Sequence, residues 1–438
     1  MNTSAFLRST AFARQRGIGT LAVSLLLLFG TSIVILYLNR GLVFEQKTSA
    51  NQFRSTSAFE VAEAGVEWAT GMLNRPNDIG TDCALLSSAN ASFRRRYIQT
   101  GFPGNTGVQV AATTFPGCKI NGTTLTCSCP VPDGSTQVAA LGTAVLPSFT
   151  VAFSTVSNGA GVLDKAAVRI TATGCTAQAG ACTPGTAGAS DATATVSVIV
   201  KNVPTLGAAP QAALTCGLNC NVGGSYNIFN REVASNGYLV NAGTTISSGN
   251  GTSYETIPGQ PVENALVAND TSLSSLASAD PTCSQSAMFN AFFRSTMAEY
   301  AASPDTKTIS CTNASDCGAQ INTAYNDGWR DFYFPIGFAL NNAAPFSVLG
   351  VAGEGVRLVS PGDIDINGNI TINGLLFSNS ANFNDLGTGT ADINGALITC
   401  AAYKNNGNGT LNYTSANLGT IDLGPGQMVR VPGSWRDF

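Results

Sequence analysis

The run from Ile18 to Leu38, IGTLAVSLLLLFGTSIVILYL, contains no charged residue. It meets the ~20 residues that a helix needs to cross a bilayer. Arg8, Arg14 and Arg16 precede it without an acid among them. By the positive-inside rule these arginines stay cytoplasmic, so everything after Leu38 is exported. The run exceeds the ~7–15 apolar residues of a secretory signal peptide, and the NRGLVFEQ that follows offers no A-x-A cleavage site. A plain membrane anchor remains open, as does a helix cut at the RQRG boundary directly before it.

The chain does not break after Leu38. No proline occurs from Asn39 to Leu73, and Gly41, Gly65 and Gly71 are tolerable in a helix at ~1 kcal/mol each. Phe59, Ala62, Val66, Ala69 and Leu73 recur at three- and four-residue steps, with Glu60, Glu63 and Glu67 near them. Pro76 supplies a stop. One helix over 18–73 is therefore expected, ~84 Å long at 1.5 Å per residue. Its first half is apolar all round, and its second half is amphipathic and suited to packing on a globular head.

An exported body agrees with the cysteines, which number 12 and fit an oxidising compartment. Several lie close in sequence, namely Cys175 and Cys182, Cys216 and Cys220, Cys311 and Cys317, and the trio Cys118, Cys127 and Cys129; structural disulfides are expected, with the pairing left open by the sequence and local pairs such as Cys175–Cys182 favoured. None of the spacings suits a zinc ribbon or a redox C-x-x-C. Histidine is absent, which removes the Ser/His/Asp and Cys/His triads and His-ligated zinc. With 22 basic and 26 acidic residues the chain lacks the basic surface that nucleic acid requires. Charged residues are 11%, against ~25% in an ordinary soluble protein, so carboxylate chemistry is sparse too. Neither an enzymatic activity nor a cofactor is expected.

The N-terminal residues carry a resemblance. RQRG with the apolar run, then SAFEVAEAGVEWA around Ala58–Glu67, resembles PilX-type minor pilins of type IV pili, and so does the terminal VPGSWRDF at Val431–Phe438. The resemblance implies cleavage by a prepilin peptidase between Gly17 and Ile18, N-methylation of Ile18, and a filament-core helix that includes Ala22, Leu25, Leu28, Glu63 and Ala64. Ala22 stands at the fifth mature position, where most pilins carry Glu. That departure is similar to tip pilins and to the tip pseudopilin of type II secretion. It implies a place at or near a filament tip, with other major and minor pilins, the inner membrane and a tip adhesin or surface ligand as partners.

Four parts are expected: a leader at 1–17, the long helix at 18–75, a pilin-like head at 76–205 and a second domain at 206–438. Phe149–Phe153, Ala167–Thr171 and Ala194–Lys201 alternate apolar and polar residues and read as strands of one antiparallel sheet. Val203–Gln211 reads as a linker. Beyond it, short β-prone pieces are separated by Gly and Asn, and Ile-Asn-Gly recurs at Ile366–Gly368, Ile372–Gly374 and Ile393–Gly395. Strand, corner, strand is the pattern of a stacked coil, so a β-helix or β-solenoid is expected at 212–247 and 345–435, with a two-sheet sandwich as the alternative. A helical insertion is expected at 262–335, with one helix over Ser286–Ser303 and another over Ala319–Trp329. The fold class is thus α+β: a long helix on an antiparallel head, then a β-solenoid-like domain.

Two features invite a site. Arg94, Arg95 and Arg96 form the single basic cluster beyond the leader and read as a solvated helix end or turn, with lipid or partner contact as the other reading. Asp363, Asp365 and Asn367 match the first half of an EF-hand loop, but the twelfth position is Gly374 and the required acid is missing. Asp385 and Asp392 nearby complete no cage. The reading that follows is a minor pilin, held in the inner membrane and then built into an extracellular pilus. A membrane-tethered β-solenoid adhesin and a type II secretion tip pseudopilin are the alternatives.

Overall fold

The computed structural model describes residues 17–86, 91–99, 109–157, 160–182, 192–204, 209–279, 283, 287–380, 382–384, 390–405, 407–418 and 426–437. Leader residues 1–16, the linker centre at 205–208, Asp385 and Phe438 lie outside them. The architecture is α+β: one long helix, Gly17–Leu73, is followed by a large sheet-rich region. The chain divides into two units after Ser57.

In the first unit every described side chain from Ile18 to Thr56 is exposed. An apolar helix surface of this kind is suited to lipid or to other apolar helices.

The second unit begins at Ala58, where the same helix starts to bury a face. Ala58, Ala62, Val66, Ala69 and Leu73 are fully buried, at the helical spacing that the sequence shows. They lie on an antiparallel sheet with the strand order Gly426–Arg430, Thr193–Pro204, Leu163–Gln178, Leu146–Ser157, Gly117–Asn121, Thr124–Ser128. Alternation puts Phe149, Val151 and Phe153, then Val168, Ile170 and Ala172, then Val196, Val198 and Val200 on the helix side. The approach is close because of two glycines. A Cβ on Gly174 would stand 2.5 Å from the Ala58 carbonyl and the Ala62 nitrogen, and one on Gly65 would stand 3.0 Å from the Phe149 ring.

The sheet contains a strand that the sequence boundary had placed in the second domain. Gly426–Arg430 pairs antiparallel with Thr193–Pro204, and Arg436–Asp437 adds to the same strand. The head is therefore discontinuous, and the region described over 209–418 is inserted between two neighbouring strands of it. The expectation of one continuous domain to 438 fails here because a five-residue strand is completed by a partner more than two hundred positions earlier.

The inserted region is built of parallel ladders. The main one runs Ser253–Glu255, Ser225–Phe229, Asn408–Asn412, Thr390–Thr399, Thr371–Ser378, Val356–Ser360, Asp331–Tyr333, Thr306–Thr308. A second ladder joins Ile246–Ser248, Cys220–Val222, Ala402–Asn405 and Asn382–Asn384. Its order departs from chain order. The first strands stack against the last, and the chain between them crosses to the far end and winds back. Two Ile-Asn-Gly repeats meet in register, Ile372 on Ile393, Asn373 on Asn394 and Gly374 on Gly395. Asn394 donates to Asn373 at 3.1 Å and Asn412 donates to Asn394 at 3.4 Å, so amides stack along the ladder. The third repeat, at Ile366–Gly368, belongs to a separate pair of strands, Phe338–Asn341 with Ile364–Asn367.

The helical insertion is narrower than expected, since Thr306–Thr308 and Asp331–Tyr333 extend the ladder. The expected Ser286–Ser303 helix is two helices, Ala287–Phe293 and Met297–Ala301, broken where Arg294 takes a positive φ of 50°. The break folds Tyr300 back to 5.5 Å from Phe289 and from Phe293. A straight helix would hold Tyr300 about 16 Å along the axis from Phe289. Both phenylalanines also pack edge-on to Phe377, at 5.0 and 5.7 Å. This cover is why Leu375, Leu376 and Phe377 are an unbroken apolar run, buried on both faces of their sheet.

Candidate functional site

Gly17 opens the described helix, and Ile18, Leu25 and Leu28 are 63%, 62% and 68% exposed along it. Ala22 is exposed as well, and Ile18, Ala22 and Leu25 share one face. The segment is long and apolar enough to cross a membrane. It presents apolar surface with no charge, which only lipid or other apolar helices can cover. Glu63 and Ala64 lie in the second unit, half-buried beside the sheet. Glu67 forms an ion pair with Arg430 of the C-terminal strand at 2.6 Å.

The C-terminal residues run beside this helix. Met428 donates its N–H to Asn74 Oδ1 at 2.8 Å, and Asn74 Nδ2 donates back to the Met428 carbonyl at 3.0 Å. Ser434 Oγ accepts from the Ile199 N–H at 3.0 Å, and Trp435 meets Phe59 edge-on at 6.5 Å. The VPGSWRDF motif thus fastens the edge of the head sheet to the helix that the sheet covers.

The arginine triplet corrects the solvated reading. Ser92 caps the short helix Phe93–Tyr97 by accepting from the Arg95 N–H. Arg94 is 1% exposed, and Arg96 is buried with it. Each finds specific partners in place of water. Arg96 donates to the carbonyls of Ile79, Gly80 and Cys129, which fixes the loop closed by the Cys83–Cys129 disulfide. Arg95 lies 3.5 Å above the Trp329 ring and donates to the Asp327 carbonyl at 2.9 Å. Arg94 forms an ion pair with Asp305 and donates to the carbonyls of Leu73 and Gly426. Arg94 and Arg95 therefore hold the inserted region to the head. The sequence signals the cluster, but nothing in it names Asp305 or Trp329.

A second buried charge cluster stands behind Asp305. Arg357 forks onto Asp331 from the next strand, and Tyr300 donates to the same carboxylate at 3.0 Å. Burial lifts the Asp331 carboxyl above its ordinary range, against the pull of Arg357. Burial likewise pushes the Tyr300 hydroxyl up. These groups sit in the core and offer no open site.

All cysteines are paired. Cys118–Cys127, Cys175–Cys182, Cys216–Cys220 and Cys311–Cys317 are short-range bridges. Cys83–Cys129 and Cys283–Cys400 span 46 and 117 residues. The long one ties the crossover chain to the ladder. Asp365 and Asn367 alternate with buried Ile364 and Ile366 on one strand, and Asn367 donates to Asp365 at 2.7 Å. Among the described residues no group of three or more His, Cys, Asp or Glu is placed to hold a metal ion.

The PilX N-terminal family matches residues 16–67, the helix and its entry into the head. Over these residues the chain is type IV pilin-like. No curated protein matches it. Among solved structures, the competence-associated pilin ComZ from Thermus thermophilus aligns over 88% of this chain and 98% of its own, at 11% identity and a TM-score of 0.20. That likeness is too slight to bear on the inserted region. The pilin-like character rests on the N-terminal match.

Proposed function

We propose that the chain is a PilX-like minor pilin of a type IV pilus. It enters the inner membrane as a prepilin, with the residues after Leu38 in the periplasm. A prepilin peptidase cuts between Gly17 and Ile18, and the new terminus is N-methylated. The subunit is then built in at or near the filament tip, where it primes assembly and carries its inserted β-solenoid domain outward as a surface for adhesion. The observation that carries this reading is the PilX N-terminal match at 16–67 on a helix whose described side chains from Ile18 to Thr56 are exposed and mostly apolar. Burial of that surface among other pilin helices is the driving force for incorporation. The uncharged Ala22 supports a tip position, since a buried carboxylate needs a partner and none is required here. The bulk of the inserted domain supports it too, because a shaft leaves little side room.

Intact mass and N-terminal sequencing of protein from membranes and from sheared pili test the proposal. A mature chain starting at methylated Ile18 in the sheared fraction is the expected result. Gly17→Glu is expected to leave an uncut chain in the membrane and to reduce piliation. Normal processing and piliation in that variant would overturn the reading.

A further inference from the structure

We propose that the head closes only after the inserted domain has folded and docked, with Arg94 as the group that couples the two events. The strand Gly426–Arg430 follows the whole inserted domain in the chain, yet it forms the edge of the head sheet. An open edge there is a template for pairing with other chains. In the closed head outward groups of Gly426 and Met428 are taken. Asn74 holds the Met428 N–H and carbonyl, and Arg94 Nη2 holds the Gly426 carbonyl at 2.8 Å. The same guanidinium donates from Nε to the Leu73 carbonyl at 3.0 Å, capping the end of the long helix. Helix end and closing strand therefore share one side chain.

That side chain can occupy its place only with a counter-charge. Arg94 is 1% exposed, and a buried guanidinium without a carboxylate is strongly unfavourable. The carboxylate comes from Asp305, 6% exposed, in the inserted domain directly before the ladder strand Thr306–Thr308. The need is mutual, since the second Asp305 oxygen is buried without a hydrogen bond. Until the far end of the ladder has formed, Asp305 is not in position, Arg94 stays in water and the closing strand lacks its clamp. A chain truncated or misfolded within the inserted domain then leaves its head edge open and does not complete the face that carries the helix.

Hydrogen exchange on the full-length protein in detergent micelles tests this. Asp305→Leu is expected to speed exchange at least ~10-fold at 426–430 and at the paired residues 200–203, well outside the substituted domain. Arg94→Met removes the clamp itself and is expected to loosen the same residues, and the double variant Arg94→Met with Asp305→Leu is expected to stay within ~3-fold of Asp305→Leu alone, because the clamp is lost only once. Faster exchange confined to 306–308 in Asp305→Leu, or effects of the two substitutions that simply add, would overturn the proposal. If Asp305→Leu does not accumulate, Arg94→Met decides: faster exchange at 426–430 with 306–308 still protected supports the coupling, and unchanged exchange at 426–430 overturns it.

Discussion

Gly174 and Gly71 illustrate how differently two glycines in one packing unit behave. The Cβ of a Gly174→Ala variant would enter the backbone of the long helix at Ala58 and Ala62, so the helix must lift off the sheet. The expected cost is about 3 kcal/mol, read as a lowered midpoint in thermal unfolding. Gly71 lies on the open side of the same helix with nothing within 4 Å, so Gly71→Ala is expected to stabilise by about 0.5–1 kcal/mol. Charge at single residues shows the same dependence on surroundings. Glu299 accepts from the Thr296 backbone N–H and hydroxyl in a capping box, and those bonds hold its carboxyl below the ordinary range. Gln320, with the Thr312 N–H and hydroxyl, does the same for Asp316, which accompanies the cap of the Ala314–Asn326 helix. A depressed carboxyl contributes stability that is present above its unfolded value and lost as pH falls through its folded one. Exchange protection of these helices is therefore expected to fall on acidification below the ordinary carboxylate range. Glu299→Gln is expected to flatten that response for Met297–Ala301, and an unchanged acid response in the variant would count against the cap.

Disulfides separate the elements by how far they reach. Cys283–Cys400 closes a span of 117 residues, and Cys216–Cys220 one of 4. Chain-entropy reasoning assigns about 4–5 kcal/mol to the first and about 2 kcal/mol to the second. Replacing Cys283 and Cys400 by serine is thus expected to lower the unfolding midpoint clearly more than replacing Cys216 and Cys220. Comparable midpoints would place the stabilisation in the native packing instead. Reach also explains what the sequence could reveal. The helix face at Ala62, Val66, Ala69 and Leu73 and the alternating strands of the head are local patterns, and they can be read directly. The Ile-Asn-Gly repeat announced stacked strands, and two of its copies do stack. The order of the ladder could not be read, because the first strands find the last as neighbours and no periodicity encodes that. The break at Arg294 was hidden for a related reason: Phe289, Phe293, Met297 and Tyr300 sit at spacings that a straight helix would satisfy too. The arginine triplet is the sharpest case. Three consecutive guanidinium groups read as solvent-facing until Asp305, Trp329 and a set of carbonyls, all distant in sequence, are brought to them.

At the scale of the whole chain, the absence of histidine sets the pH behaviour. With none present, no side chain of ordinary pKa titrates between about pH 6 and 8. Thermal midpoints are expected to stay nearly constant across that range, and a midpoint that moves with pH would point to a strongly shifted group elsewhere. The discontinuous head has a further effect. Pro204 and Gly426 face each other as partners across the sheet, so the inserted domain leaves and re-enters at one point. A two-residue turn suffices geometrically to join such partners. The head is in this sense a socket, and its cargo is exchangeable in principle by a single in-frame replacement. Exchange carries one condition, set by Arg94. A replacement cargo must deliver a carboxylate to the same spot, or the socket must give up its arginine. Lineages that swap the outward domain while keeping the helix would then be expected to change these two positions together, so the pair would record which cargo the socket was last fitted to hold.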